Sequence, residues 1–145
     1  MLRSMVALSL ILPSLGICCG CGQAGGNRKS TYPVKGKVLV DGEPVEMLAV
    51  VCVRLSEVDQ ERPTESQCFT QKDGSFTIGT YESGDGVPEG DYALTFRWGQ
   101  WNLFSHSYEG DKLNGRYTNL TNPVAKFTVK KGQPTDLAKI ELTTK

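Results

Sequence analysis

Histidine is nearly missing from this chain: His106 is its only one. Ser105 and Ser107 flank it and suggest a serine–histidine pair, yet adjacent residues on an extended strand point to opposite faces, and no acid stands at a recognisable motif distance. Catalysis needs a nucleophile with its base, a metal, or paired carboxylates in a pocket, and the sequence is thin on all three. The expectation is a non-catalytic protein without a cofactor. Cysteine is scarce in the body of the chain. Of the five present, Cys18, Cys19 and Cys21 crowd the start, and Cys52 and Cys68 with His106 show no zinc spacing. Asp73, Asp85 and Asp91, with the carbonyl-rich loop Gly84-Asp85-Gly86, offer the oxygens a hard cation takes. Their spacing does not follow an EF-hand loop, and Asp-Gly pairs in a β protein are turns far more often than ligands, so no metal is expected. Nor does one sign of charge prevail, since 16 Lys and Arg stand against 16 Asp and Glu. Such a balance gives no electrostatic case for nucleic acid or for an acidic partner. Internal repeats and low-complexity tracts are absent too.

What the chain does have begins at its first residues. Arg3 gives a short positive region, Met5 to Ile17 an apolar run, and Cys18-Cys19-Gly20-Cys21 a cluster of small residues and cysteines. This is the pattern of an export signal. The apolar run falls short of the roughly 20 residues that span a bilayer as a helix, so a processed segment is expected rather than a permanent transmembrane anchor. Behind it, Gly22 to Ser30 is glycine-rich, polar and without an apolar period, as a flexible tether is. Removing the signal takes away one basic residue, Arg3, so 16 against 16 becomes 15 against 16. Residues 33–145 are then enough for one hydrophobic core and not for two.

Strand signals fill that remainder. Val34, Gly36, Val38 and Val40 alternate with Lys35, Lys37 and Leu39, and the run stops at Asp41-Gly42, a strong hairpin signal. Leu48 to Leu55 is a β-branched run too short for a typical helix, and Ser66 to Thr70 would return beside it. Lys72-Asp73-Gly74 turns the chain into a fourth strand containing Phe76 and Ile78. Tyr92, Leu94, Phe96 and Trp98 share one face of a fifth, in a clean two-residue period. Ala125, Phe127 and Val129 mark a sixth, and Ala138, Ile140 and Leu142 a seventh. Seven short strands separated by turns at this spacing predict an all-β sandwich.

In the second strand, Val51, Val53 and Leu55 form the stronger apolar face and leave Cys52 on the other side with Arg54. In the third, Phe69 points in and Cys68 lies out of phase with it. Both thiols then face the same way. Directly opposed residues in a hairpin have Cα atoms about 4.5–5.5 Å apart, within reach of a disulfide. An oxidising compartment favours a Cys52–Cys68 bond contributing roughly 3 kcal/mol; two buried free thiols are the alternative.

Two resemblances add to these readings. The start of the chain resembles bacterial lipoprotein signals, in which a small residue precedes the cysteine that is lipidated and becomes the mature N-terminus. Gly20-Cys21 fits best, with Cys18 after Leu15-Gly16-Ile17 as the alternative; cysteines at 18 and 19 depart from the usual small residues. The resemblance implies a signal over 1–20, a lipidated cysteine with tether over 21–32, and an extracytoplasmic, membrane-anchored protein of the cell envelope. Gly22, in place of a retaining aspartate, favours the outer membrane. From Val34 onward, VLVDGEP (38–44), TQKDGSFTI (70–78), GDGVPEGDY (84–92) and DKLNGRY (111–117) follow in an order that resembles the carboxypeptidase regulatory-like, or transthyretin-like, family. The form is that of small planctomycete lipoproteins. That resemblance implies a seven-stranded transthyretin-like (prealbumin-like, Ig-like) sandwich over 33–145, serving as a folding, spacing or binding module.

One stretch stands out within it. Arg97 to Tyr108 gathers Trp98, Trp101, Phe104, His106 and Tyr108, and long loops on rigid sheets are common binding sites. These rings would cover an envelope protein partner or stack on a sugar, or else they cap one end of the sandwich. Two functions are therefore expected in order: a tethered structural or interaction module, then a carbohydrate- or small-ligand-binding domain.

Overall fold

The computed structural model describes residues 28–56 and 59–145. The expected signal, the expected tether up to residue 27 and both candidate lipidation sites, Cys21 and Cys18, lie outside the described residues. Among the described residues there is no helix, and so none long and apolar enough to cross a membrane.

The described residues are all-β, in twelve strands rather than seven. One sheet runs in the order β11 (Ala125–Val129), β8 (Gly90–Arg97), β4 (Ala49–Arg54), β5 (Ser66–Phe69), antiparallel throughout. The second has β2 (Val34–Val40) at its centre, with β12 (Thr135–Leu142) parallel on one side and β3 (Glu43–Pro44) and β6 (Ser75–Thr77) sharing the other. These strands include all seven that the residue periods predict. The additions are short: β3 itself, the pair β1 (Thr31–Tyr32) and β7 (Val87–Pro88), and the hairpin of β9 (Gln100–Asn102) and β10 (Ser107–Glu109).

The inner faces of the two sheets close on one core, a sandwich-like arrangement. Val34, Val38 and Val40 of β2, Phe76 of β6 and Ile140 and Leu142 of β12 meet Val50 of β4 and Tyr92, Leu94 and Phe96 of β8. Each fully buried aliphatic or phenyl side chain contributes about 1.5–3 kcal/mol relative to exposure. Asp41 and Gly42, with φ of 52° and 87°, form the two-residue turn that pairs Val40 with Glu43. Positive φ at both turn positions is the type I′ geometry whose twist matches the strands it joins.

Three expectations of facing are corrected. In β4 the inward residues are Val50 and Cys52, while Val51 and Val53 are half-buried on the outer face and Leu55 is exposed. In β5, Ser66 is buried, Cys68 packs against the core, and Phe69 faces out. Cys52 and Cys68 do share a face, as expected, but it is the inner one, and the register pairs Cys52 with Ser66 and Val50 with Cys68. The thiols are thus diagonal neighbours, whose Cα atoms stand about 7–8 Å apart in such a ladder, at or beyond the reach of a disulfide. Both are free. In β12, Ala138 is exposed: the register slips between Asp136 and Lys139, and Leu137 takes the inward side.

The architecture gives the molecule two ends. β8 starts at Gly90, right after β7, which pairs with β1 close to the first described residue. It finishes at Arg97, opposite Ala49 and next to the hairpin. Its 8 residues, at about 3.3 Å each, set these ends roughly 25 Å apart.

Candidate functional site

The segment expected as an irregular aromatic loop is a hairpin. β9 and β10 pair Gln100 with Glu109, Trp101 with Tyr108 and Asn102 with Ser107, leaving Leu103 to His106 as the turn. Its neck needs a close approach that glycine alone permits: a Cβ on Gly99 would meet the Glu109 carbonyl oxygen at 2.4 Å.

Polar side chains hold the turn from inside. The Asn102 Oδ1 accepts the Phe104 N–H at 2.9 Å and the Ser105 N–H at 3.3 Å, while Asn102 Nδ2 donates to Glu109 Oε2 at 2.9 Å. Glu109 Oε1 accepts the Ser107 hydroxyl at 2.6 Å and that of Ser105 as well. Hydrogen bonds from Ser105, then Ser107 and Asn102, stabilise the carboxylate and hold its pKa down to about 2. Both serine hydroxyls are therefore directed to Glu109, and His106 stands exposed in the turn with φ of 51°.

Apart from His106, the aromatic candidates divide into two pairs. Trp98 packs against the core, and Lys112 Nζ sits 4.3 Å above its ring. Tyr108 donates to the Met47 carbonyl at 2.7 Å, accepts the Gly99 N–H at 2.7 Å, and meets Phe69 edge to face at 5.1 Å. Arg97 braces the same corner by donating to the carbonyls of Tyr108 and Gly110. These two rings cap the end of the sandwich. Trp101 and Phe104 instead project: their relative exposures are 52% and 99%, and Leu103 between them reaches 75%. Leu103 was not among the residues singled out from the sequence, although an apolar pair Leu103-Phe104 set between polar Asn102 and Ser105 was the available signal.

Exposure of this kind has a chemical meaning. A turn that satisfies its own polar groups and aims two large apolar side chains into solvent is preorganised for contact, since little conformational entropy remains to be lost on binding. Asp111 secures the base by accepting the N–H groups of Trp98, Leu113 and Gly115 at 3.0, 3.0 and 2.8 Å. Burial raises its pKa, but these three bonds outweigh that and lower it overall.

Elsewhere the candidate groups serve the fold. Asp73 caps its turn through Ser75, Asp85 accepts the N–H groups of Thr80 and Tyr81, and Asp91 accepts the Thr128 hydroxyl at 2.6 Å. The three do not converge, and among the described residues no three His, Cys, Asp or Glu side chains gather as metal ligands would. Burial pushes the Cys52 and Cys68 thiols up to about 12, with the neighbouring Cys68 adding to the effect on Cys52. At neutral pH both stay protonated and are weak nucleophiles.

No family model matches the chain, and no curated protein does. Among solved structures it is similar to the major pilin subunit of Bacillus cereus, with 11% identity over 79% of this chain and 29% of that one, at a TM-score of 0.40. A DUF3823 family protein from Parabacteroides merdae gives 13% identity, 80% and 46% coverage and 0.38. A 9R-lipoxygenase from Cyanothece gives 10%, 78% and 16%, and 0.39. The chain spans less than half the length of each.

Proposed function

We propose that this protein is a non-catalytic, lipid-anchored module of the cell envelope that binds a protein partner through the β9–β10 hairpin. Its domain is read as a transthyretin-like, carboxypeptidase regulatory-like sandwich, a reading supported by the presence of strands at all seven places the residue periods mark and by the order of the DGEP, KDGSF and PEGDY motifs. Lipidation at Cys21, with Cys18 as the alternative, and an outer-membrane address rest on the signal-like start.

A single observation carries the interaction reading: Leu103 and Phe104 stand exposed on a turn already braced by Asn102, Ser105, Ser107 and Glu109. Phenylalanine is among the aromatic residues enriched at protein interfaces. Cross-linking in intact cells, followed by mass spectrometry, is expected to recover one recurrent envelope protein joined near 100–109. Phe104→Ala should abolish that product while the domain melts unchanged. A cross-linked partner that persists in this variant would refute the hairpin as the contact.

The half-exposed Trp101 ring, paired in the hairpin with Tyr108, favours sugar stacking as a second reading. Glycan binding lost in Trp101→Ala, with no protein recovered, would select it.

A further inference from the structure

At the end of the sandwich opposite the hairpin, the near-neutral balance of the whole chain gives way to segregated charge. A hollow of about 510 Å³ next to β1 and the start of β8 is lined by Arg28, Lys29, Arg54, Arg62 and Lys131. Its acidic members are Asp59 and Glu89. Asp59 pairs with Lys29 at 2.7 Å and, more loosely, with Arg62 at 3.9 Å, and Arg28 reaches Glu82 at 3.1 Å. Even counting Glu82, and Glu65, which lines an adjoining hollow with Lys29, Arg54, Asp59 and Arg62, five cations face four carboxylates. Arg54 is held by neutral groups, donating to Ser56 Oγ, the Tyr92 hydroxyl and the Glu89 carbonyl. Lys131 and its neighbour Lys130 are exposed, in the turn after β11.

The position of this basic end decides what it meets. Chain outside the structure enters here, at Arg28, and six residues separate Arg28 from Cys21. Fully extended, that stretch reaches at most roughly 25 Å, and any less extended tether brings the end closer. We infer that the basic end is a docking surface for the anionic phospholipid headgroups of the membrane in which the chain is anchored, an inference that rests on the lipid anchor proposed above. Docked in this way, the sandwich stands on its cationic end and presents the hairpin on the side away from the bilayer.

The test uses the mature lipoprotein reconstituted into vesicles of phosphatidylcholine alone or mixed with phosphatidylglycerol. Retention on the neutral vesicles reports the anchor by itself. Acetylation rates of individual lysines report docking, with Lys131 and Lys130 at the basic end and Lys112, over Trp98, as the distant reference. On anionic vesicles at low salt, Lys131 labelling should slow about fivefold or more, the effect of one basic group near such a surface. Lys112 should not change, and high salt should restore the rate. Arg28→Glu with Arg62→Glu, both at exposed side chains, should remove the slowing with circular dichroism unaltered. Equal Lys131 rates in the two lipids, on vesicles that retain the protein, would overturn the docking surface and leave the anchor standing. Should neutral vesicles fail to retain the protein, the anchor falls; salt-reversible binding to anionic vesicles would then still uphold the surface, and its absence would overturn both.

Discussion

Glu109 does for the hairpin turn what a buried residue does for a core: it fixes a conformation that the apolar groups could not hold alone. Its ordinary pKa of 4.5 is held down to about 2 by Ser105, Ser107 and Asn102. Because the folded value is depressed, the contribution of the ionised form is complete above about pH 4.5 and is lost as pH falls towards about 2. The amide signals of Phe104 and Ser105, followed by NMR from neutral to acid pH, should hold their positions through the ordinary carboxylate range and move together only near the lower value. Glu109→Gln should displace the same signals at neutral pH and leave the melting midpoint nearly unchanged, since the network is solvent-exposed. Signals that titrate near 4.5 would show that the brace does not operate. Cys52 and Cys68 give a second prediction of this kind. With thiols raised to about 12 by burial, the native chain should resist alkylation at both positions, and denaturant without reductant should expose both. A chain that takes up no label at either position until it is reduced would instead carry the disulfide.

Elements differ in how openly the sequence announces them, and the differences have causes. β8 was legible because its two faces contrast in residue type: Tyr92, Leu94 and Phe96 form a large apolar row, while the other face carries Asp91, Ala93, Thr95 and Arg97, small or polar residues even where, as at Ala93, they are buried. β4 was legible as a strand but not in phase. It lies between β8 and β5, and Lys29, Asp59, Arg62, Thr64 and Glu65 line a hollow over Val51 and Val53. With both faces partly covered, both are apolar, and period alone cannot choose between them. That inverted phase also misplaced Phe69. The two-residue strands carry too few residues for any period, and the hairpin was hidden because the apolar residues of its turn face solvent, against the rule that reveals strands. β12 shows a subtler limit. Its alternation was read through Ala138, but the bulge between Asp136 and Lys139 puts Ala138 at φ 53°, with its N–H donated to Asp136 Oδ1 at 2.9 Å. A non-glycine residue in that region costs about 1–2 kcal/mol, of which glycine's entropy takes back about 0.5–1. Ala138→Gly is therefore expected to stabilise the domain by roughly 0.5–1 kcal/mol, raising the melting midpoint by a few degrees. A lower midpoint would mean that the bulge tolerates alanine without strain.

For the whole molecule, the lipid anchor proposed above raises the question of which end would meet the membrane. An exposed Leu103-Phe104 pair beside Trp101 has the character of a membrane-dipping tip as well as of a protein anchor, because aromatic and aliphatic side chains gain from both environments. Geometry separates the two. The chain's two tryptophans, Trp98 and Trp101, both lie at the hairpin end, and β8, with 8 residues of about 3.3 Å each, holds that end roughly 25 Å from the entry of the tether. If the sandwich stands on its basic end, neither indole approaches the acyl chains. Vesicles carrying brominated acyl chains, which quench only tryptophans near them, should then leave the emission of the anchored protein as it is in unbrominated vesicles, for neutral and anionic lipid alike. Phe104→Ala should change nothing in this measurement, because the tip would not touch lipid. Marked quenching that disappears in Phe104→Ala would mean the opposite orientation: the hairpin would be a second membrane contact, the six-residue tether would loop back beside it, and the partner-binding face would have to be sought elsewhere on the sandwich.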